Sequence, residues 1–444
     1  MITTVAQHFE SLGMPAEYAA SREALFAQLE QRAAPILEGA AESRRFTPGR
    51  IEIFGKHTDY AGGHSLLAAV PRGIALVARR RADGIVRVGD IFDGQVIEVD
   101  PAREAPAHYR GIQRYVHVVA HRLHVNFPGC DLGASIAIAS DLPRASGLSS
   151  SSALTVGVAL ELIKRANLRV RPEWQQHLRR MHDLAWYLGC VENGLDFPGL
   201  PGSAGVGTKG GSEDQTAILA CQTEHVSLYR FVPVTPLGET RMPAQWSFVI
   251  ASSGIQADKA DSVKDRYNRA STGVRTLHDL WNRRSGEPAP SLCAALAGGA
   301  SAVKRLEKWI EGDATFTADE LRMRLHHFTR ETVRAPQAAA AFRDANQDAL
   351  GQLAADSQKD AHELLGNQIS ETITLAELAR EIGAFASSSF GAGFGGSVWA
   401  AVPTTDAQRF GEEWIRAYAQ RMPHVGKIDW FIARPGPAAT EIPL

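Results

Sequence analysis

The sequence predicts two α+β domains, on three observations. The chain has 444 residues, too many for one ordinary core and enough for two. Its composition, 44% hydrophobic, 22% charged and 7% aromatic, is that of a folded globular protein. Strand-like and helix-like stretches are mixed along it rather than strictly alternating, which favours α+β over a regular βαβ array. The two domains are expected over residues 1–240 and 241–444, joined somewhere near 235–250.

Residues 15–40 form an Ala-rich helical stretch, read as an N-terminal addition. From Arg50 to Val99 the chain turns strand-like, with β-branched runs at Gly73–Ala78 and Ile85–Val88. His108–Val125 has helical length and spacing, and Gly133–Ala139 is a short apolar strand. A helix is predicted over 150–165, where Leu154, Val158 and Leu162 fall four apart on one face. A second helix is predicted over 172–189. The stretch GLDFPGLPGSAGVGTKGG at 194–211 is too rich in Gly and Pro for regular structure. Trp246–Ala251 reads as a buried strand. A mostly helical stretch follows from about Asp258 to Ile382, broken by RRSGEPAPS at 283–291. The chain ends strand (Ser397–Val402), helix (Thr405–Arg421), strand (Lys427–Ala433).

Charge and cysteine usage exclude several function classes. Lys and Arg total 47 against 49 Asp and Glu, a net charge of −2, so no electrostatic footprint for nucleic acid or anionic membrane is present. Cys130, Cys190, Cys221 and Cys293 have neither metal-ligand nor redox spacing, as expected in a reducing cytoplasm. Residues 1–10 lack the basic stretch and apolar core of a signal peptide. No run approaches the roughly 20 apolar residues of a membrane span. A soluble, cytoplasmic protein is expected.

Three segments carry chemistry. In DLPRASGLSSSSAL (141–154) a strand end gives way to small residues, and a helix opens at four serines. A helix start presents free backbone N–H groups and a positive dipole end, which suits a phosphate chain; serines also simply cap helices. The segment is not a Walker loop, because no Gly-Lys-Ser/Thr follows. In SSSFGAGFGG (387–396), Gly391, Gly393, Gly395 and Gly396 make a loop where either a nucleotide or another backbone packs closely. In TPGRIEIFGKHTDYAGG (47–63), Arg50, Lys56, His57, Asp59 and Tyr60 form a polar set suited to the hydroxyls of a small ligand, or to a solvated loop.

Together and in this order, the segments resemble the GHMP kinase superfamily and, within it, the galactokinase family. The galactokinase pattern PGRxNxxGEHTDYxGG stands here as PGRIEIFGKHTDYAGG, PxGxGLSSSAxL as PRASGLSSSSAL, TGAGFGG as FGAGFGG, and GIMDQ as GSEDQ at 211–215. The resemblance implies an N-terminal domain like domain 2 of ribosomal protein S5, a ferredoxin-like C-terminal domain, and a cleft between them. It implies a kinase that uses ATP and Mg2+ to phosphorylate the anomeric hydroxyl of a monosaccharide. Asp214 matches the catalytic base and Arg50 the arginine beside it. Gly147, Leu148, Ser149, Ser150, Ser151 and Ser152 fall in the phosphate loop, with Ser151 at the magnesium position. Lys56, His57, Asp59 and Tyr267 fall at sugar-contacting positions. The implied partner is a small sugar, with no nucleic acid or membrane, and the chain is expected as a monomer or weak oligomer.

The departures bear on substrate. Galactokinases carry glutamate where this chain has Lys56, at a place that holds the sugar's C6 hydroxyl. Lysine there suits an anionic group near C6, as in galacturonate, glucuronate or a heptose phosphate; alternatively Lys56 faces solvent and the sugar is neutral, as in an ordinary galactokinase. Ala145 replaces the first loop glycine and Phe390 a threonine. Glu213 and Lys209 add charges near the base, either to touch substrate or to be solvated. His64, His326 and His327 match no motif and read as surface or structural. A catalytically silent sensor of sugar and ATP is the competing class, disfavoured because Ser149–Ala153 and Asp214 are intact. The mevalonate and homoserine kinase branches are disfavoured by HTDYAGG.

Overall fold

The alternation that marks strands in the sequence becomes two sheets in the computed structural model, which describes residues 4–106, 108–143, 147–255, 261–426 and 428–444, Asp261 and Ser262 by backbone alone. The first sheet has eight strands: β1 (Ser43–Phe54), β2 (His64–Arg80), β3 (Val86–Asp90), β4 (Val96–Val99), β5 (Ala134–Ser140), β6 (His225–Arg230), β7 (Thr235–Arg241) and β12 (Thr440–Ile442). Its order is β12-β1-β2-β5-β3-β4, with β6 also on β2 and β7 on β6. The β3–β5 pair is parallel. The second sheet is antiparallel and runs β11-β8-β10-β9, from Trp430–Ala433, Trp246–Ser252, Ser397–Pro403 and Ala386–Ser389.

Successive strand residues face opposite sides, so each sheet buries two different surfaces. On β8, Trp246, Phe248 and Ile250 join a core shared with helices Gly111–Asn126, Ser150–Arg165 and Met181–Asn193, while Val249 and Ala251 pack with Leu375 and Trp414 on the far side. The shared core joins the two sheets: Phe54 of β1 meets Trp399 of β10 edge-on, ring centroids 6.1 Å apart. Helix Ser150–Arg165 is buried over most of its circumference, as its continuous apolar run requires.

Several expectations are corrected. The N-terminal stretch is no addition: Phe9, Leu25, Phe26 and Leu29 cover Phe46, Ala75 and Val77 on the outer face of the first sheet, and Arg22 pairs with Asp141. The helix predicted over 172–189 is two, Pro172–His177 and Met181–Asn193. Arg180 between them is extended, and the Asp183 carboxylate accepts its N–H at 2.9 Å, capping the second helix. Helix Glu213–Ala220 fills a stretch to which no element was assigned, and strand β9 takes the start of the 387–396 segment read as a loop. The last strand, β12, returns to β1. Ala145 and Lys427 lie outside the described residues. Among those described, no helix is long and apolar enough to cross a membrane.

Candidate active site

Strand alternation aims β1 at the site. Ile51 and Ile53 enter the core, so Arg50 and Glu52 face the other way, into a cleft. Helix Ser150–Arg165 starts at the same cleft, and Ser149, Ser150, Ser151 and Ser152 line it. Ser149 is in the left-handed region, φ +57°, as the turn into the helix demands. Helix Glu213–Ala220 adds Glu213, Asp214 and Gln215.

These elements converge on Asp214. The Arg50 Nε donates to Asp214 Oδ1 at 2.7 Å, and Arg50 Nη1 donates to the Gly147 carbonyl at 2.6 Å. Ser152 Oγ donates to Asp214 Oδ2 at 3.2 Å. Burial alone would raise the Asp214 carboxyl; the Arg50 charge and the Ser149 and Ser152 hydroxyls outweigh it and hold Asp214 below its ordinary value. Its side chain stays 30% exposed, so the ionised oxygen can be reached from the cleft.

The opposite wall comes from the 56–63 turn and the helix Asp261–Arg284. His57, Asp59 and Tyr267 all line the cleft. The His57 ring sits 5.0 Å from that of Tyr267, and its Nε2 lies 3.1 Å from the Ala392 carbonyl. Arg324 clamps this turn, donating to the His57 carbonyl at 2.6 Å and the Tyr60 hydroxyl at 2.8 Å. Burial and the Arg324 charge push His57 down to about 3, so it is neutral. Asp59 Oδ2 accepts the Glu213 N–H at 3.1 Å. A Cβ on Gly211 would stand 2.2 Å from that oxygen, so this glycine is what lets the 193–211 loop close on Asp59. The two glycine loops also meet: a Cβ on Gly391 would lie 3.2 Å from the Gly147 carbonyl.

The sequence-predicted residues therefore converge, with exceptions. Leu148 is buried in the core behind the loop, leaving only backbone for a ligand. Lys56 is not in the cleft. It is fully buried, donating to Ser357 Oγ at 2.7 Å and Ser388 Oγ at 3.0 Å, with Glu331 Oε1 at 4.0 Å. The expectation that it either meets an anionic sugar or faces solvent is thus corrected on both sides. Glu331 also accepts the Gly55 N–H at 3.0 Å and pairs with Arg334. Of the two readings of Lys209 the solvated one fits: it is exposed, its ammonium 3.4 Å from Thr272 Oγ1, away from the cleft. Glu213 does line the cleft, taking Ser65 Oγ at 2.7 Å, and Phe390 is buried in the core. His326 pairs with Glu307 at the surface and His327 is buried against Arg324.

Sequence reasoning missed Glu52, Glu192 and Asn193, which all line the cleft. Glu192 accepts from Ser152 Oγ at 3.0 Å and Gln215 Nε2 at 2.6 Å. Asn193 accepts from Thr208 and the Gly210 N–H. The one signal for Glu192 and Asn193 was position, at the end of a helix running straight into the glycine-rich loop.

The serine-rich helix start thus faces an arginine-held carboxylate across one cleft. Residues 113–189 match the GHMP kinase N-terminal domain and 338–420 the GHMP kinase C-terminal domain. Within that superfamily the chain is similar to the galactokinases and is a galactokinase-type sugar kinase. Residues 39–80 match the galactokinase galactose-binding signature. The chain is 28% identical over 416 residues to the galactokinase of Exiguobacterium sibiricum, covering 90% of this chain and 94% of that one. It is 27% identical over 389 residues to the galactokinase of Roseiflexus sp., covering 84% and 86%. Its fold matches that of Lactococcus lactis galactokinase, solved with galactose, at a TM-score of 0.76 and 24% identity, covering 94% of this chain and all of that one. The Methanococcus jannaschii mevalonate kinase follows the fold at a TM-score of 0.54 and 12% identity, covering 89% and 99%.

Proposed function

We propose that this kinase moves the terminal phosphoryl group of ATP to the anomeric hydroxyl of a neutral monosaccharide. The observation that carries this is the Arg50–Asp214 pair, placed between the serine-lined helix start and the His57–Asp59–Tyr267 wall. Asp214, held ionised, takes the proton of the attacking hydroxyl, while Arg50 counters charge on the transferring group. Transfer of this kind needs mainly positioning and charge neutralisation. Gly147, Ser149, Ser150, Ser151 and Ser152 cradle the ATP phosphates, the helix dipole assisting. His57, Asp59 and Tyr267 take the sugar's other hydroxyls.

The donor set fits magnesium. Ser151 and Glu192 offer hard oxygens at the helix start, and no group of three His, Cys, Asp or Glu forms a metal cage among the described residues. That is the pattern of an ion held by one or two protein oxygens together with substrate phosphates. When bound, the ion neutralises charge along the phosphate chain.

The neutral substrate rests on charge. Glu52, Asp59, Glu192, Glu213 and Asp214 line the cleft against Arg50 and Lys264, and Lys56 is held by buried partners instead. A sugar carboxylate would enter beside an excess of carboxylates. ADP release with ATP and magnesium is the test, across galactose, N-acetylgalactosamine, arabinose, fucose, galacturonate, glucuronate and a heptose phosphate. Turnover is expected with a neutral member. Turnover confined to the anionic members would refute the neutral reading, and none with any member would favour a silent sensor. We place the domain division near residue 240 and the enzyme in the cytoplasm as a monomer or weak oligomer, in keeping with four unpaired cysteines.

A pH dependence follows. Burial pushes Asp59 up to about 6, against the Glu213 N–H bond and with the Asp214 charge adding. Above that value it is charged and accepts strongly; below it, protonation weakens it as an acceptor. Lowering pH from roughly 6.5 to 5 should raise the sugar KM severalfold while kcat holds, because Asp214 stays ionised. Asp59→Asn should show a smaller rise, since Glu52, pushed up to about 7, also loses charge over this range; an equal rise in this variant would remove Asp59 from the sugar site.

A further inference from the structure

The buried carboxylates of the cleft are not all spoken for. Glu52 is only 2% exposed, lines the cleft, and has one oxygen engaged: Oε2 accepts the Gly391 N–H at 3.0 Å. Its other oxygen, Oε1, is buried with no hydrogen-bond partner among the described residues. A buried carboxylate oxygen left unpaired is costly and calls for a donor. Resting on the kinase reading above, we propose that Glu52 is a specificity-determining residue, whose Oε1 receives a sugar hydroxyl other than the one phosphorylated.

Three observations lead to this assignment. Glu52 is two residues from Arg50 on the same face of β1, so it borders the reacting pair without touching Asp214. The galactokinase pattern has asparagine at this position and glutamate at position 56; here the carboxylate stands at 52 and a lysine at 56. The two changes are linked electrostatically. Burial pushes Glu52 up to about 7, and the opposing influences are led by the charges of Lys56 and Arg50. Lys56, enclosed behind the cleft, thus acts as a counter-ion rather than a ligand. Relative to that pattern the carboxylate stands four residues earlier, on the strand, and the lysine supports it from inside.

The test is Glu52→Gln. The Gly391 N–H requires an oxygen, so the glutamine amide turns its oxygen to Gly391 and presents NH2, a donor, where Oε1 stood. With the neutral hexose that gives the highest kcat/KM in the ADP-release panel, the sugar KM is expected to rise about 10- to 100-fold, as for loss of a charge-assisted hydrogen bond. The KM for ATP should stay within about twofold. The 2-, 3-, 4- and 6-deoxy forms of that hexose provide the second readout. In the wild type one of them is turned over with the same penalty as the variant shows, and in Glu52→Gln that penalty disappears. A purely structural Glu52 would alter melting and both KM values without erasing a deoxy penalty. Glu52→Asn, which shortens the side chain, should behave as Glu52→Gln and guards against one variant misfolding. Unchanged sugar KM and unchanged deoxy penalties in both would overturn the inference and leave the kinase reading standing. Absence of turnover with every neutral hexose in the wild type would overturn both.

Discussion

Asp214→Asn should lose roughly 100- to 10,000-fold in kcat, the range expected for removing a positioned general base. Asparagine keeps an oxygen to accept from Arg50 Nε and remains the right shape for Ser152, so the local framework persists. The amide cannot take a proton from the attacking hydroxyl. The phosphate cradle at 147–152 is untouched, so nucleotide affinity should remain within a few-fold of wild type. Single-turnover kinetics and nucleotide titration separate the two effects. Turnover near the wild-type rate would show that Asp214 is not the base, whatever its place beside Arg50.

Lys56→Met should damage stability far more than specificity. The ammonium sits among Ser357, Ser388 and Glu331 with no exposure to water. Burial would raise the Glu331 carboxyl, but Lys56 and Arg334 hold it below its ordinary value. Removing one partner of a buried pair leaves the other uncompensated and costs about 3–5 kcal/mol. Lys56→Glu, which restores the residue of the galactokinase pattern, should be worse because it adds a carboxylate beside Glu331. Pairing it with Glu331→Lys should recover part of the loss. Thermal unfolding and soluble yield read the effect, and the remaining activity should keep its preference for neutral sugars. A Lys56→Glu protein as stable as wild type, with altered sugar preference, would return Lys56 to the substrate site.

Much of the fold was legible because its signals are local. Helix Ser150–Arg165 was predicted to its observed ends from serines followed by a four-residue apolar spacing. The strands β8 and β10 announced themselves as short apolar runs. Helix Glu213–Ala220 did not, since a glycine-rich lead-in hides its start, nor did β12, whose partner lies some 400 residues earlier.

The site was legible where a motif carried it and illegible where the partners are distant. Arg50 and Asp214 are 164 residues apart, and only the order of four segments brought them together. Lys56 was misread because it adjoins His57. Strand β1 ends at Phe54, Gly55 has φ +112° and His57 φ +57°, so neighbouring side chains in this turn diverge. Ser357 and Ser388, which receive the ammonium, lie 301 and 332 residues away. Glu52 escaped notice because a strand residue between two isoleucines reads as framework. Its unpaired oxygen exists only in three dimensions.

The measurement that tests the central claim most directly is the identity of the product. The protein would be incubated with ATP, magnesium and galactose, then with galacturonate, and the phosphorylated sugar followed by phosphorus NMR with proton coupling to the sugar ring. The account expects stoichiometric ADP and a phosphate on C1 of the neutral sugar, with little product from galacturonate. A phosphate on any other carbon, or product from galacturonate alone, would contradict it.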